Sequence, residues 1–240
     1  MKSDRDFLQV EHARAGDYNM RVDAELLHAA SEGRGGARIY EWDGPWVSLG
    51  TSQSPDRDLI DPAAIRWVRR PTGGKAVLHG HDVTVSIACP LSSLCPDSRK
   101  VTDVYRRIIA PIIAGLNGAG ISARLAADTP FGRTKGRTSD CFSHISPIDV
   151  VDATTGRKLV GCALRVTREA VLAQCSAPVG MPLVDPAEVF RSPHVPQPLE
   201  VGKESLVASL RRELASFLGT NENVAENDNP LQRDDGLRPR

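Results

Sequence analysis

The sequence predicts an α+β fold in which helices pack on mixed, twisted β-sheets. Three observations indicate this class: strand-like runs outnumber helical runs, the two types are interspersed, and no internal repeat is evident. A chain of 240 residues with 40% hydrophobic content can bury a core. We expect one domain over residues 1–219 with its helices on one side of the sheet, followed by a polar, disordered tail over residues 220–240.

The first predicted elements are a helix and a series of strands. The run "NMRVDAELLHAAS" has apolar residues at helical spacing, with Asn19 as the expected N-cap and glycines after Glu32 as the stop. Asp43-Gly44-Pro45 is a turn signal between two strands. The strand-like runs of this half cover residues 37–42, 46–51, 65–70 and 82–90.

A second amphipathic helix is predicted over residues 101–120. Pro111 should kink it, and Gly118 or Gly120 should end it. The remaining predicted elements are a strand at 121–126, a polar loop at 127–140, three short β runs around a turn at 154–156, and a helix that Gly219 ends.

Charge and cysteine content exclude several classes of function. The chain has 30 basic and 30 acidic residues, so it lacks the excess positive charge typical of nucleic-acid and membrane-surface binding proteins. No apolar run is long enough to span a bilayer, and no secretory signal is visible, so we expect a cytoplasmic protein. Five cysteines without a CxxC pair predict reduced thiols. His79 and His81 lack a third ligand, so no metal site is predicted.

The segment "VRRPTGGKAVLHG", residues 68–80, combines a glycine pair with three basic side chains. It lacks the glycine and hydroxyl spacing of a Walker phosphate loop, and it leads into a strand rather than the helix that a dinucleotide fingerprint requires. Glycines let backbone N–H groups approach a ligand closely, and arginine or lysine can bind a carboxylate, phosphate or acyl carbonyl. From these residues alone, a ligand site and a solvated turn both remain possible.

Three blocks in the same order resemble the lipoate protein ligase A and octanoyltransferase family. They are "YEWDGPWVSLGTSQ", "RRPTGGKAVLHG" and "GRKLVGCALRVTREAVLAQCSAPVG", and "NMRVDAELL" is similar to the first helix of that family. The resemblance covers roughly residues 18 to 219. It implies the fold of the biotin and lipoate protein ligase catalytic domains.

The resemblance also implies a set of site residues. The family's essential lysine lies in a K-[LIV]-x-G motif, which matches Lys158 in "KLVG", where an ammonium group can stabilise an oxyanion. The glycine-paired segment lines the slot for the carboxyl end of the acyl chain. The substrate-binding residues implied by matching are Arg69, Arg70, Thr72, Gly73, Gly74, Lys75, Ala76, Val77, Leu78, His79, Gly161 and Ala163.

Cys141 decides between two chemistries within this family. ATP-dependent ligases need no nucleophile, whereas octanoyltransferases with a "CF...P" pattern carry the acyl group as a cysteine thioester, and "DCFSHISP" resembles that pattern. A β-hairpin can bring Cys141 to Lys158, whose ammonium would lower the thiol pKa from its free value of about 8.5. The alternative is that Cys141 is only a small buried residue, as we expect for Cys89 and Cys162.

The resemblance therefore implies an acyltransferase that needs no cofactor. It would move an octanoyl or lipoyl group from acyl carrier protein to a lysine of a lipoyl domain, in the glycine cleavage H protein or a 2-oxoacid dehydrogenase E2. The polar end of the chain after Gly219 favours this interpretation, because two-step ligases usually carry an accessory domain. The runner-up is a ligase that uses ATP and Mg²⁺ to form lipoyl-AMP.

Several residues depart from the family pattern. Gln174 and Cys175 replace a His-Gly pair, Cys162 replaces a small polar serine, and Gly80 stands where an aspartate is common. Glutamine forms hydrogen bonds but does not change charge near neutral pH as histidine does. These changes leave open a third alternative, a non-catalytic protein that binds an acyl carrier or a lipoyl domain. A basic loop at 133–137 is a further candidate contact for an acidic carrier, or is simply solvated.

Overall fold

The computed structural model describes residues 7–98, 100–131, 139–143, 145–191 and 193–220. These residues form ten strands in two sheets. The strands are β1 (Phe7–Val10), β2 (Gly36–Tyr40), β3 (Trp46–Leu49), β4 (Trp67–Arg69), β5 (Val77–His79), β6 (Asp82–Pro90), β7 (Ala123–Leu125), β8 (Val150–Asp152), β9 (Lys158–Val166) and β10 (Ala170–Pro178). The predicted tail after Thr220 and the basic loop at 133–137 lie outside the described residues.

The described helices are of two kinds, three long and three of a single turn. The long ones are α1 (Gly16–Ser31), α4 (Val101–Gly118) and α6 (Lys203–Leu218). The short ones are α2 (Pro55–Asp58), α3 (Leu91–Leu94) and α5 (Pro186–Val189). Two 3-10 turns cover Ala126–Asp128 and Cys141–Ser143. No helix of the described ranges is long and apolar enough to cross a membrane.

The larger sheet has the strand order β1-β2-β6-β10-β9-β8-β7. Its centre is the antiparallel pair β6 and β10, which align over nine residues from Ala170 opposite Pro90 to Pro178 opposite Asp82. Only β1 and β2 pair in parallel within this sheet, so the sheet is mixed as predicted. Both faces of β6 and β10 are buried, which explains their continuous runs of apolar and small residues.

Helices cover both faces of this sheet. Because side chains alternate along a strand, Ile87 and Ala173 pack in the main core with α4 and α6, whereas Ala88 and Leu172 pack against α1. The expectation of helices on one side only is therefore wrong. The two-sided cover creates a second buried face, and the polar residues of β6 and β10 lie on that face beside α1.

The predicted helix ends were of mixed accuracy. Gly219 adopts φ +64° and ends α6, and α4 ends at Gly118, both as predicted. Helix α4 continues through Pro111, and the kink expected there stays a prediction. Helix α1 begins at Gly16, so Asn19 is not its N-cap. The Asn19 side chain is fully buried and donates to the carbonyl oxygens of Arg14 and Glu41.

The smaller sheet has the order β4-β3-β5 and lies over a second apolar core. Strand β3 separates β4 from β5, so residues 70–76 form a crossover and not the simple turn between neighbouring strands that the sequence suggests. This crossover packs closely on Gly50, where a Cβ atom would come within 2.1 Å of the Gly74 carbonyl oxygen. Only glycine at position 50 permits that approach.

Candidate active site

A pocket lies where the two sheets face each other. It is a narrow cleft, with a cavity volume of about 20 Å³ in this structure, room for about one water molecule. Its lining comes from α1, from β2, β6, β9 and β10 of the larger sheet, and from β3, β5 and the crossover of the smaller one. The lining residues are Met20, Tyr40, Trp42, Ser48, Arg70, Val77, His79, Thr84, Cys141, Gly161, Cys162, Ala163, Gln174, Cys175 and Ser176.

Cys141 and Lys158 meet at one side of this pocket. The Lys158 Nζ lies 3.5 Å from the Cys141 Sγ and donates to the Cys141 carbonyl oxygen at 2.8 Å. The lysine side chain is 6% exposed, and its ammonium lies 5.4 Å from the centre of the Phe142 ring. A buried cation in contact with a sulfur that faces a pocket can stabilise negative charge on that sulfur or on a carbonyl oxygen bound beside it.

Asp149 is a third member of this cluster that the sequence reasoning missed. Its Oδ2 lies 2.9 Å from the Lys158 Nζ and also accepts from the Ser146 N–H at 2.7 Å. Both side chains of this ion pair are almost completely buried. Asp149 Oδ2 and the Cys141 carbonyl oxygen therefore hold the Lys158 ammonium in place beside the sulfur.

The electrostatics of the pair differ from the expectation. Burial raises the pKa of the Cys141 thiol above its usual range, the Asp149 and Asp140 carboxylates raise it further, and Lys158 and Arg70 lower it only in part. The expected net lowering of this pKa by Lys158 is therefore wrong. Burial also works against the charged Lys158, but Cys141 and Asp149 raise the pKa of Lys158 to about 12. Lys158 is thus a cation and a hydrogen-bond donor at neutral pH, and not a base.

Local backbone contacts place the sulfur. The Cys141 N–H donates to the Ala76 carbonyl oxygen at 2.8 Å, and the Ala76 N–H donates to Ser139 O at 2.9 Å, which ties the cysteine to the end of the crossover. On the other side, a Cβ at Gly161 would lie 3.3 Å from the Cys141 Sγ. Gly161, predicted as a site residue, therefore leaves the space that the sulfur occupies.

Arg70 supports the crossover from inside. This arginine is 4% exposed, and its Nη2 donates to the carbonyl oxygens of Gly73 and Lys75, both at 2.6 Å. Its Nη1 donates to the Ser48 carbonyl oxygen at 2.8 Å. Burial lowers the pKa of Arg70 to about 10, which still leaves it charged at neutral pH.

The structure separates the predicted substrate-binding residues into two groups. Arg70, Val77, His79, Gly161 and Ala163 line the pocket. Thr72 is buried directly behind it and donates to Gln174 at 2.6 Å.

The other predicted residues face elsewhere. Arg69, the last residue of β4, is exposed and donates to the Gln53 carbonyl oxygen at 2.6 Å. Ala76 and Leu78 pack in the second core. Gly73, Gly74 and Lys75 shape the crossover, where Gly74 adopts φ +82°, but they do not line the pocket.

Three of the four residues that depart from the family pattern line the pocket. Gln174 lines the pocket and donates from Nε2 to Asp23 Oδ2 at 2.5 Å. Cys162 and Cys175 lie opposite each other on β9 and β10 and pack in the main core. None of the five cysteines, all within the described ranges, forms a disulfide. No cluster of three metal-ligating side chains occurs among the described residues.

Comparisons with known proteins identify the family. Residues 16–227 match the model of the lipoyl protein ligase A/B catalytic domain. The chain belongs to this family. Octanoyltransferase LipM of Kyrpidia tusciae is 34% identical over 165 residues, which cover 65% of this chain and 59% of that protein. Octanoyltransferase LipM of Symbiobacterium thermophilum is 30% identical over 223 residues, 86% of this chain and 76% of that protein.

Solved structures agree on the fold. The bi-partite lipoate protein ligase of Thermoplasma acidophilum, described with its E2 lipoyl domain, superposes with a TM-score of 0.66 at 16% identity. The superposition covers 93% of this chain and 86% of that one. The predicted family and the α+β fold are thus confirmed. The chain nevertheless spans little more than half of the Kyrpidia relative, 59% of its length.

Proposed function

We propose that this chain is an acyltransferase that moves an octanoyl or lipoyl group from an acyl carrier protein to a lysine of a lipoyl domain, through a thioester on Cys141. The observation that carries the proposal is the 3.5 Å contact between the Cys141 Sγ and the Lys158 Nζ beside the pocket. Two relatives named octanoyltransferase support this activity. The proposal requires the pocket to widen around the acyl chain, whose carbonyl carbon would lie at the sulfur.

The first step exchanges one thioester for another. The Cys141 thiol loses its proton, its sulfur attacks the carbonyl carbon, and the bond from that carbon to the carrier sulfur breaks. The carrier leaves as a thiol after it takes up the proton. The Lys158 ammonium stabilises both the thiolate and the oxyanion of the tetrahedral intermediate. The raised pKa of Cys141 keeps the free enzyme in the thiol form.

The second step forms the amide. The neutral amine of the acceptor lysine attacks the same carbonyl carbon, the carbon–sulfur bond to Cys141 breaks, and the sulfur takes up the proton that the amine loses. Since exchange of a thioester for an amide is downhill, positioning supplies most of the acceleration. The T. acidophilum ligase is described with an E2 lipoyl domain. We propose as acceptor a lipoyl domain of an E2 subunit or of the glycine cleavage H protein.

The proposal includes the surroundings of the reaction. One catalytic domain spans residues 1–219, and no cofactor takes part. A cytoplasmic setting would keep the five thiols, none of which forms a disulfide, reduced.

The test measures the intact mass of the protein after incubation with octanoyl acyl carrier protein. Wild type and Cys89→Ala, which removes a buried thiol outside the pocket, should gain one octanoyl group that hydroxylamine releases. Cys141→Ala should gain none. Incorporation of lipoate that requires ATP and Mg²⁺ would instead identify a ligase, and carrier binding without an adduct would identify a binding protein. Either result overturns the proposal.

A further inference from the structure

Arg70 is a buried cation without a direct carboxylate partner. None of the ion pairs among the described residues includes it, and its closest acceptors are backbone carbonyl oxygens. Because an isolated buried charge is costly, such a group needs compensation from elsewhere. Its remaining hydrogen bonds go to two hydroxyl groups, those of Thr72 and Ser48.

The first hydroxyl leads to Asp23. Arg70 Nε donates to Thr72 Oγ1 at 3.1 Å, Thr72 Oγ1 donates to Gln174 Oε1 at 2.6 Å, and Gln174 Nε2 donates to Asp23 Oδ2 at 2.5 Å. A carboxylate can only accept, so the amide of Gln174 has one possible orientation here. Every donor in the series points from the cation towards the anion.

Asp23 has an oxygen available for this series. Its Oδ1 accepts from Arg38 Nη1 at 2.6 Å, and Arg38 also pairs with Glu11 at 2.6 Å. The other oxygen, Oδ2, accepts only neutral donors among the described residues, from Tyr40, Ser86 and Gln174. The charge of Asp23 is therefore shared between Arg38 and the series that ends at Arg70.

The second hydroxyl leads to Asp82. Arg70 Nη1 donates to Ser48 Oγ at 3.2 Å, Ser48 Oγ contacts His79 Nε2 at 2.8 Å, and His79 Nδ1 contacts Asp82 Oδ2 at 2.8 Å. His79 lowers the pKa of Asp82 to about 2 despite burial, so Asp82 is ionised and accepts a hydrogen bond from His79 Nδ1. The hydroxyl of Ser48 and the imidazole of His79 thus connect Arg70 to the Asp82 carboxylate. Stacking on the Trp42 ring, at 4.0 Å, fixes the imidazole plane.

We propose that these two hydrogen-bond relays, Thr72–Gln174–Asp23 and Ser48–His79–Asp82, hold Arg70 charged and fixed beside Cys141, so that Gln174 and His79 are positioning residues for the reactive thiol. Arg70 and Cys141 line the same pocket, and the positive charge of Arg70 lowers the pKa of Cys141. The role of the relays in acyl transfer rests on the proposed function. Their effect on the thiol does not.

The relays explain why a glutamine suits position 174. A glutamine presents an acceptor and a donor on one rigid amide, so it connects a hydroxyl donor to a carboxylate without carrying charge itself. A protonated histidine there would add a third cation near Arg38 and Arg70. Gln174 thus connects Asp23 to Thr72 of the crossover by hydrogen bonds, and position 174 itself adds no charge to the pocket.

The experiment measures alkylation of Cys141 by iodoacetamide as a function of pH, followed by mass spectrometry of the Cys141 peptide. Thr72→Val removes the hydroxyl with little change of shape, and Thr72→Ser retains it. Thr72→Val, Gln174→Leu and Ser48→Ala should each raise the apparent pKa of Cys141 by about half a unit to one unit, which slows alkylation about three- to tenfold at neutral pH. Thr72→Ser should restore the wild-type profile.

Ser86→Ala is the matched control, because it removes one donor from Asp23 without interrupting either relay. It should change alkylation by less than about twofold. Arg70→Met removes the cation itself and gives the largest expected slowing of alkylation.

The proposal is overturned if the pH profile of alkylation is unchanged in folded Thr72→Val and Ser48→Ala. It is also overturned if Ser86→Ala slows alkylation as much as those two variants do. If Thr72→Val does not fold by circular dichroism, Ser48→Ala and Gln174→Leu carry the test. No acyl donor is present, so the result is independent of whether the chain transfers octanoyl groups.

Discussion

Two buried cations, Lys158 and Arg70, lie near Cys141, and their charges are compensated in different ways. Lys158 touches a carboxylate, with its Nζ 2.9 Å from Asp149, and its pKa rises to about 12. Among the described residues, Arg70 donates to carbonyl and hydroxyl oxygens only, and burial lowers its pKa to about 10. Cys141 and Asp149 together thus outweigh the effect of burial on the pKa of the lysine, whereas the oxygen dipoles around Arg70 do not offset it for the arginine.

The two cations also differ in how far along the chain their carboxylate partners lie. Asp149 and Lys158 lie on adjoining segments of one antiparallel region around β8 and β9. The carboxylates that the relays reach from Arg70, Asp23 and Asp82, belong to α1 and β6, on the far side of the pocket. The lysine site therefore depends on one hairpin, and the arginine site depends on how the helix and both sheets come together.

The largest expected effect is at the directly paired cation. Lys158→Met should slow transfer of an octanoyl group by a factor of about 10² to 10³, because it removes the charge that stabilises the oxyanion. Lys158→Arg should recover little, since the buried space around the ammonium does not fit a guanidinium group. Single-turnover transfer rates measure both. Lys203→Met, at an exposed ion pair with Glu41, should behave as wild type.

The second largest effect concerns Asp149, whose replacement should lower stability but raise the reactivity of Cys141. Asp149→Asn should cost about 3 kcal/mol of unfolding free energy, because it leaves a buried cation unpaired. It should also accelerate alkylation of Cys141 at neutral pH, since the Asp149 charge raises the pKa of that thiol. Urea unfolding and alkylation rates check the two effects.

The control for this variant is Asp128→Asn, which removes an exposed ion pair with Arg106. We expect it to cost less than about 1 kcal/mol. A slower alkylation in Asp149→Asn than in wild type would contradict the role given to Asp149.

The pH dependence of the wild-type thiol is a smaller effect. Because burial raises the pKa of Cys141, the folded protein should hold the thiol proton beyond the usual range, and alkylation should keep rising with pH above about 8.5. The unfolded protein in urea provides the reference, with a half-maximal rate near the free value. A plateau of the folded protein below pH 7 would mean that Lys158 and Arg70 outweigh burial.

The smallest expected effect is steric. Gly161→Ala would place a methyl group 3.3 Å from the Cys141 Sγ and should slow octanoylation of the thiol about three- to tenfold. Gly202→Ala is the matched control, because a Cβ at Gly202 meets nothing within 4 Å. Intact-mass kinetics compare the two variants. Equal rates in both would show that the sulfur does not need the space at Gly161.

Much of the site could be found from sequence because it lies in motifs that resemble a family. Arg70, His79, Cys141 and Lys158 all come from such blocks. The orientation of neighbouring side chains could not be found in this way. Arg69 and Arg70 are adjacent and of one type, yet Arg69 ends β4 and is exposed, whereas Arg70 begins the crossover, is buried and lines the pocket. Asp23 did carry a signal, since a charged residue on the apolar face of a predicted helix has to find buried partners.

The sequence by itself determined the α+β class and the positions of the long helices, because these depend on periodicity, and a family resemblance made Cys141 and Lys158 the candidate thiol and amine. The tertiary structure decided that helices cover both faces of the larger sheet and that the glycine segment crosses over β3. It also decided that burial outweighs Lys158 in setting the pKa of Cys141. Burial and hydrogen-bond partners depend on distances between segments that are remote in the chain, and no local pattern encodes those distances.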